Sequence, residues 1–235
     1  MKGMTVFLVL VMAIGMVGCK SSTGQGQGAK VATEVAPNLD DYHIETVAVL
    51  AFANTTGDPK ADEMGIYLIQ SFYGRELYHF IPSVDFALDA ARVKMEADHA
   101  RLVRTWEKKR TVDENVVERL LEATGYDALI AAEVNKWEEI KLQANQEGTS
   151  DTMVGVAVKM YAKDGTLLWS ASELQTRESV AYLPSFNTRA TESGRAVTTS
   201  QSAVPDPPPI EQVARQVAED LAKEMPTVKG GGTSN

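Results

Sequence analysis

Cysteine is almost missing from this sequence: Cys19 is the only one among 235 residues. One thiol can form no internal disulfide and no Cys-based metal cage, so the fold must be held by packing. Positive charge is scarce too. Lys and Arg number 23 against 32 Asp and Glu, a formal net charge of −9. Neutralising phosphates takes clustered Lys and Arg, so this balance argues against a nucleic-acid partner. The apolar run Val6–Val17 is twelve residues long, short of the roughly twenty that a membrane-spanning helix needs. Histidine is rare, and His43, His79 and His99 stand far apart with no H-x-x-x-H spacing, so no metal site is expected. Neither a Gly-x-Ser-x-Gly elbow nor a Ser-x-x-Lys motif occurs, and no catalytic residue or cofactor is assigned.

What is present begins with the leader. Met1 to Gly18 has the parts of a secretory signal: Lys2 as the positive start, the apolar run, and small Gly18 before Cys19. Met16-Val17-Gly18-Cys19 resembles the end of a bacterial lipoprotein leader, with Met16 where that pattern most often has leucine. The resemblance implies cleavage before Cys19 and a thioether-linked diacylglycerol on its sulfur. Each buried CH₂ contributes about 0.8 kcal/mol and one acyl chain holds only marginally, so two or three chains on one residue give retention. Lys20 follows the cysteine. By the sorting pattern of enteric bacteria this implies the outer membrane, with the domain facing the periplasm.

Residues 19–40 read as the lipidated cysteine and a flexible tether. The stretch from Lys20 to Asn38 is rich in Gly, Ser, Gln and Thr, and a chain of that kind has an average reach of about 25 Å. Gly24, Gly26 and Gly28 form no phosphate loop, because no Gly-Lys-Ser/Thr follows them.

A single α/β domain is predicted over 41–226. Ile44 to Phe52 is nearly continuous in apolar and β-branched residues, the pattern of a strand buried on both faces. Asp58-Pro59 opens a helix that runs to about Leu77. Tyr78 to Ile81 is a short strand. Pro82-Ser83 opens one long helix to about Arg110. Thr111-x-x-Glu114 has the form of a capping box for the next helix, which Gly125 stops. Three strands follow at 128–143, 152–162 and 166–175, the last two joined by Lys163-Asp164-Gly165, a hairpin signal. A polar loop over 176–209 carries Tyr182, Leu183 and Phe186. Ile210, Val213, Val217, Leu221 and Met225 then share one helical face up to Pro226. Residues 227–235 are expected to be a disordered tail. The order β-α-β-α-α-β-β-β-α predicts a mixed sheet of about five strands with helices packed against it, the early strands parallel and the late ones antiparallel.

The strand VAVLAF followed by NTTGDP, then GYDALIAAEV leading to Trp137, then YAKDGTLLWSAS, is similar to a group of bacterial envelope lipoproteins. Their α/β domain is like the N-terminal domain of TolB, and the group includes the curli-secretion lipoprotein family (CsgG-like) and LpoB-like activators. The likeness covers about Ile44 to Ser172. It implies a non-catalytic interaction module acting in assembly, secretion or activation, with an envelope protein as partner, and leaves a homo-oligomer open. The curli family also inserts long amphipathic hairpins that build a barrel. Here 144–151 is short, and 176–209 lacks sustained alternation.

One surface stands out in an acidic chain. Arg101, Arg104 and Lys108 share a helical face, with Lys109 and Arg110 beside them. Cations favour a helix C-terminus by a few tenths to about 1 kcal/mol each, which accounts for them without a partner; as a docking patch they would meet an acidic partner, a cell-wall polymer or lipid headgroups. Two other classes of function are a ring- or channel-forming secretion subunit and a hydrolase of cell-wall polymer. The hydrolase needs two carboxylates about 5–9.5 Å apart in an open cleft.

Overall fold

The computed structural model describes residues 30–142, 149–179 and 205–227. The leader, Cys19 and the tail 228–235 lie outside the described residues, as does 180–204 with Tyr182, Leu183 and Phe186. In chain order the elements are β1 (Ala32–Val35), β2 (Thr46–Asn54), α1 (Met64–Tyr73), β3 (His79–Ile81), α2 (Ser83–Arg92), α3 (Glu96–Lys109), α4 (Glu114–Thr124), β4 (Ala128–Ile140), β5 (Asp151–Ala162), β6 (Leu167–Glu178) and α5 (Ile210–Lys223). Short 3-10 turns at Leu39–Asp41 and Pro59–Glu63 precede β2 and α1.

The strands form one mixed sheet in the order β1-β6-β5-β4-β2-β3. β2 runs parallel to β3 and β4, each joined by a helical crossover, whereas β4, β5, β6 and β1 pair antiparallel. The fold class is therefore the expected α/β one. Alternation along the strands splits the core. Val47, Val49, Ile130, Val156 and Trp169 meet α1 and α5 on one face. Ala48, Leu50, Leu129, Ala131 and Tyr161 meet α2, α3 and α4 on the other. β2 is buried on both faces, as its sequence predicts.

Several elements differ from expectation. The sheet has six strands, not about five. The extra one, β1, lies in the stretch read as tether and pairs with β6 from Ala32↔Ser172 to Val35↔Trp169. Its four side chains are all exposed, so it is held chiefly by its backbone ladder, which carries no hydrophobic signal. The single helix expected over 83–110 is two. α2 ends in a Schellman motif: the Met95 N–H donates to the Ala90 carbonyl at 2.7 Å and the Lys94 N–H to Ala91 at 3.0 Å. Lys94 takes the left-handed position with φ 62°, which glycine usually fills, so nothing in the sequence marks the break. α1 stops at Tyr73 rather than near Leu77, and β6 continues to Glu178.

The capping box does not form. The N-cap of α4 is Asp113, without a side-chain cap bond, and Glu114 is the first helical residue. The Asp113 carboxylate is instead engaged by Arg101 at 2.8 Å. Gly125 does end α4, at φ 79°.

Candidate functional site

The basic residues lie on the outer side of α3, whose inner side is anchored by Leu102 and Trp106. Trp106 is 1% exposed and donates its indole N–H to the Ala132 carbonyl at 3.0 Å. That bond sets the rotation of the helix and turns Arg101, Arg104 and Lys108 to solvent. They are not equivalent. Arg101 is tied to Asp113, whereas Arg104 and Lys108 form no ion pair among the described residues. Arg110 has turned inward: it lies 2.7 Å from the Glu133 carboxylate and donates to the Trp106 carbonyl at 2.6 Å. Lys159 of β5 reaches over the Trp106 ring, 5.9 Å from its centroid. The free part of the patch is therefore Arg104 and Lys108, with Lys109 beside them.

The histidines are dispersed. His43 is exposed and 2.9 Å from Glu45. His79 is exposed at the start of β3. His99 packs edge-on to Phe86, with ring centroids 5.2 Å apart, and burial lowers its pKa. Among the described residues no three His, Cys, Asp or Glu side chains are placed to hold a metal, and no helix is long and apolar enough to cross a membrane. Trp137 and Trp169 belong to the core.

A second cluster escaped the sequence reading. β6 directs Trp169 and Ala171 into the core beneath α5, and the same alternation directs Glu173 and Gln175 inward. They are 4% and 5% exposed. Among the described residues, none of Glu173 Oε1, Glu173 Oε2 and Gln175 Oε1 has a hydrogen-bond partner. Loss of water pushes the Glu173 carboxyl up to about 7; nearby Asp220 adds to this and Lys223 offsets part of it. Asp220 stands at the rim of α5, with Lys223 on its carboxylate at 2.8 Å and Gln216 donating to it at 2.9 Å. The signal was in the spacing: counting inward by twos from a core tryptophan reaches both residues.

Lys223 also lines an open groove of about 460 Å³ between α1 and α5, with Tyr67, Gln70, Arg75 and Arg215. There the Arg215 guanidinium lies 4.8 Å over the Tyr67 ring.

Comparison with protein families finds no match, and none is found among curated proteins. Solved structures do show likeness. A PelC dodecamer from Paraburkholderia phytofirmans is 14% identical over 82% of this chain and 94% of that one, with a TM-score of 0.43. The lipoprotein GNA1162 from Neisseria meningitidis is 18% identical over 57% of this chain and 84% of its own, at 0.40. The LpoB C-terminal domain from Salmonella enterica is 7% identical over 57% and 84%, at 0.35. These scores describe partial overlap, so the functional reading rests on this chain's own residues.

Proposed function

We propose that this chain is a lipid-anchored interaction module of the bacterial cell envelope, held at the outer membrane through Cys19 with its domain in the periplasm. The observation that carries this is the position of the sole cysteine: it closes a charged-then-apolar leader at Met16-Val17-Gly18-Cys19. A Gly-, Ser- and Gln-rich stretch separates it from a folded α/β domain, the layout of an anchor, a spacer and a working body. Its role is docking to another envelope protein, as an assembly, secretion or activator accessory, rather than chemistry. The exposed cations of α3, Arg104 and Lys108, would serve that docking with Arg101 beside them.

The test is metabolic labelling with a palmitate analogue followed by fractionation of the envelope. The wild-type chain should carry label and sediment with outer membrane. Cys19→Ser should lose the label and appear as a folded soluble domain. Retention of cleaved Cys19→Ser in the membrane fraction would overturn the anchor.

A further inference from the structure

β1 stands at one end of the sheet order and, among the described residues, pairs with β6 alone. Its register decides which backbone groups are left over. The Ala36 N–H donates to the Leu168 carbonyl at 2.8 Å, so in this antiparallel ladder Ala32 and Glu34 also bond inward, opposite Ser172 and Ser170. The N–H and C=O groups of Thr33, and by the same alternation those of Val31, point away from the sheet. The side chains divide as well. Thr33 and Val35 lie on the face of Trp169, whose indole N–H donates to the Thr33 hydroxyl at 3.1 Å. Ala32 and Glu34 lie on the other face, and Lys30 follows them; all three border an open groove with Ser170 and Ser172. The four residues of β1 and Lys30 are exposed. Lys30 and Glu34 form no ion pair among the described residues. An open edge of this kind is a template for another strand.

We propose that β1 pairs with β1 of a second copy of this chain, antiparallel about a two-fold axis at Ala32, so that two sheets join into one. The edge itself selects the occupant. Lys30-Val31-Ala32-Thr33-Glu34 is complementary to its own reverse. The two-fold sets Lys30 opposite Glu34, Val31 opposite Thr33 and Ala32 opposite Ala32. The backbone agrees with this register. Val31 and Thr33, whose groups point outward, meet as hydrogen-bonded pairs. Lys30 with Glu34, and Ala32 with its copy, become the closer pairs, with Cα atoms about 4.5 Å apart. Sliding one strand by two residues keeps the backbone bonds but sets Glu34 or Lys30 against Ala32, and both direct charge pairs are lost. Opposite charges across a ladder attract and like charges repel, so charge fixes the register. Such a contact uses the same patch on both copies and closes at two. The pairing goes beyond the anchor and docking reading and does not depend on Cys19.

The test is sedimentation of the full chain in density-matched detergent over a concentration series. A ladder of this length is a small interface, so the expected result is a monomer–dimer equilibrium with a Kd of about 1–100 μM and nothing larger. Glu34→Lys and Lys30→Glu each set like charges opposite one another twice and should weaken the dimer more than about tenfold. The chain carrying both substitutions should regain the wild-type Kd to within about threefold. These side chains are exposed, and circular dichroism checks each fold. In a Cys19→Ser background Ala32→Cys is the sole thiol and should form a disulfide between copies under mild oxidation. Val35→Cys, about 20 Å from its copy in this register, should not. A chain still monomeric at about 200 μM would leave the edge to a strand of another protein and overturn the proposal. So would assembly beyond two copies, single swaps without effect, no recovery in the combined swap, or crosslinking through Val35→Cys in place of Ala32→Cys. Palmitate labelling reads the anchor separately, so either idea can fail alone.

Discussion

Gly165 in the β5–β6 turn lies against Glu114 at the first turn of α4. A Cβ on Gly165 would stand 2.6 Å from the Glu114 Cβ and 2.7 Å from its Cα. The contact joins the antiparallel half of the sheet to the helix that leads into the parallel half. Gly165 also has φ 83°, a conformation that glycine adopts without strain. Both reasons forbid a side chain here. Gly165→Ala should destabilise the domain by about 1–3 kcal/mol, seen as a lower urea midpoint with unchanged slope.

Asp127 ties the start of β4 to the start of β2. Its carboxylate accepts from the Thr46 N–H at 2.9 Å, the Thr46 hydroxyl at 2.8 Å and the Glu45 N–H at 3.1 Å. Burial pushes its pKa up, but these bonds outweigh that and hold it below the usual range. A lowered carboxylate contributes stability above its unfolded pKa that is lost as pH falls through the folded one. Asp127→Ala should cost about 1–3 kcal/mol near neutrality, and the gap from wild type should close in acid. A gap independent of pH in thermal melts would show that the charge is not what matters.

Glu173 should behave in the opposite sense. Its carboxyl is raised to about 7, so the folded state holds its proton more tightly than the unfolded state. The stability from the protonated form is complete below the unfolded pKa and is lost as pH rises through about 7. Glu173→Gln should therefore melt higher than wild type at about pH 8 and lose most of that advantage at about pH 5, a swing on the order of 2–3 kcal/mol.

Trp106 spans the interface between α3 and β4. Trp106→Phe keeps most of the apolar area but removes the donor to Ala132 and leaves a small void. It should cost about 1–3 kcal/mol in chemical denaturation.

The α3 surface separates stability from docking. Arg104→Glu with Lys108→Glu alters exposed side chains and should change unfolding free energy by no more than about 0.5 kcal/mol. Crosslinking in native envelopes should show loss of the acidic partner from the doubly reversed chain. An unchanged crosslink would remove this face from the docking surface.

Where apolar spacing was strong, the fold was legible in advance. β2, the β5–β6 hairpin with its Asp-Gly turn, and α5 with Ile210, Val213, Val217 and Leu221 inward all appear where periodicity places them, and Met225 is buried just past the helix end. The errors share a physical type. β1 is made by backbone pairing, and the α2–α3 break by a Schellman bond network that lysine closes in glycine's place. Thr111 lost its cap role because the helix begins at Glu114, while Arg101, twelve residues from Asp113, binds the Asp113 carboxylate. Each depends on a partner distant in sequence or on a dihedral that composition does not announce.

The sequence by itself determined the sole thiol at the end of an apolar leader, the acidic balance and the mixed α/β order, because these follow from residue type and local period. Only the tertiary structure decided which charges are free. Arg101 and Arg110 are drawn to Asp113 and Glu133, whereas Arg104 and Lys108 face solvent. It also decided that Glu173 lies under α5 with neither oxygen hydrogen-bonded among the described residues. Whether a charged side chain is solvated, paired or stranded depends on what packs against it, and in this fold the deciding neighbours come from other elements.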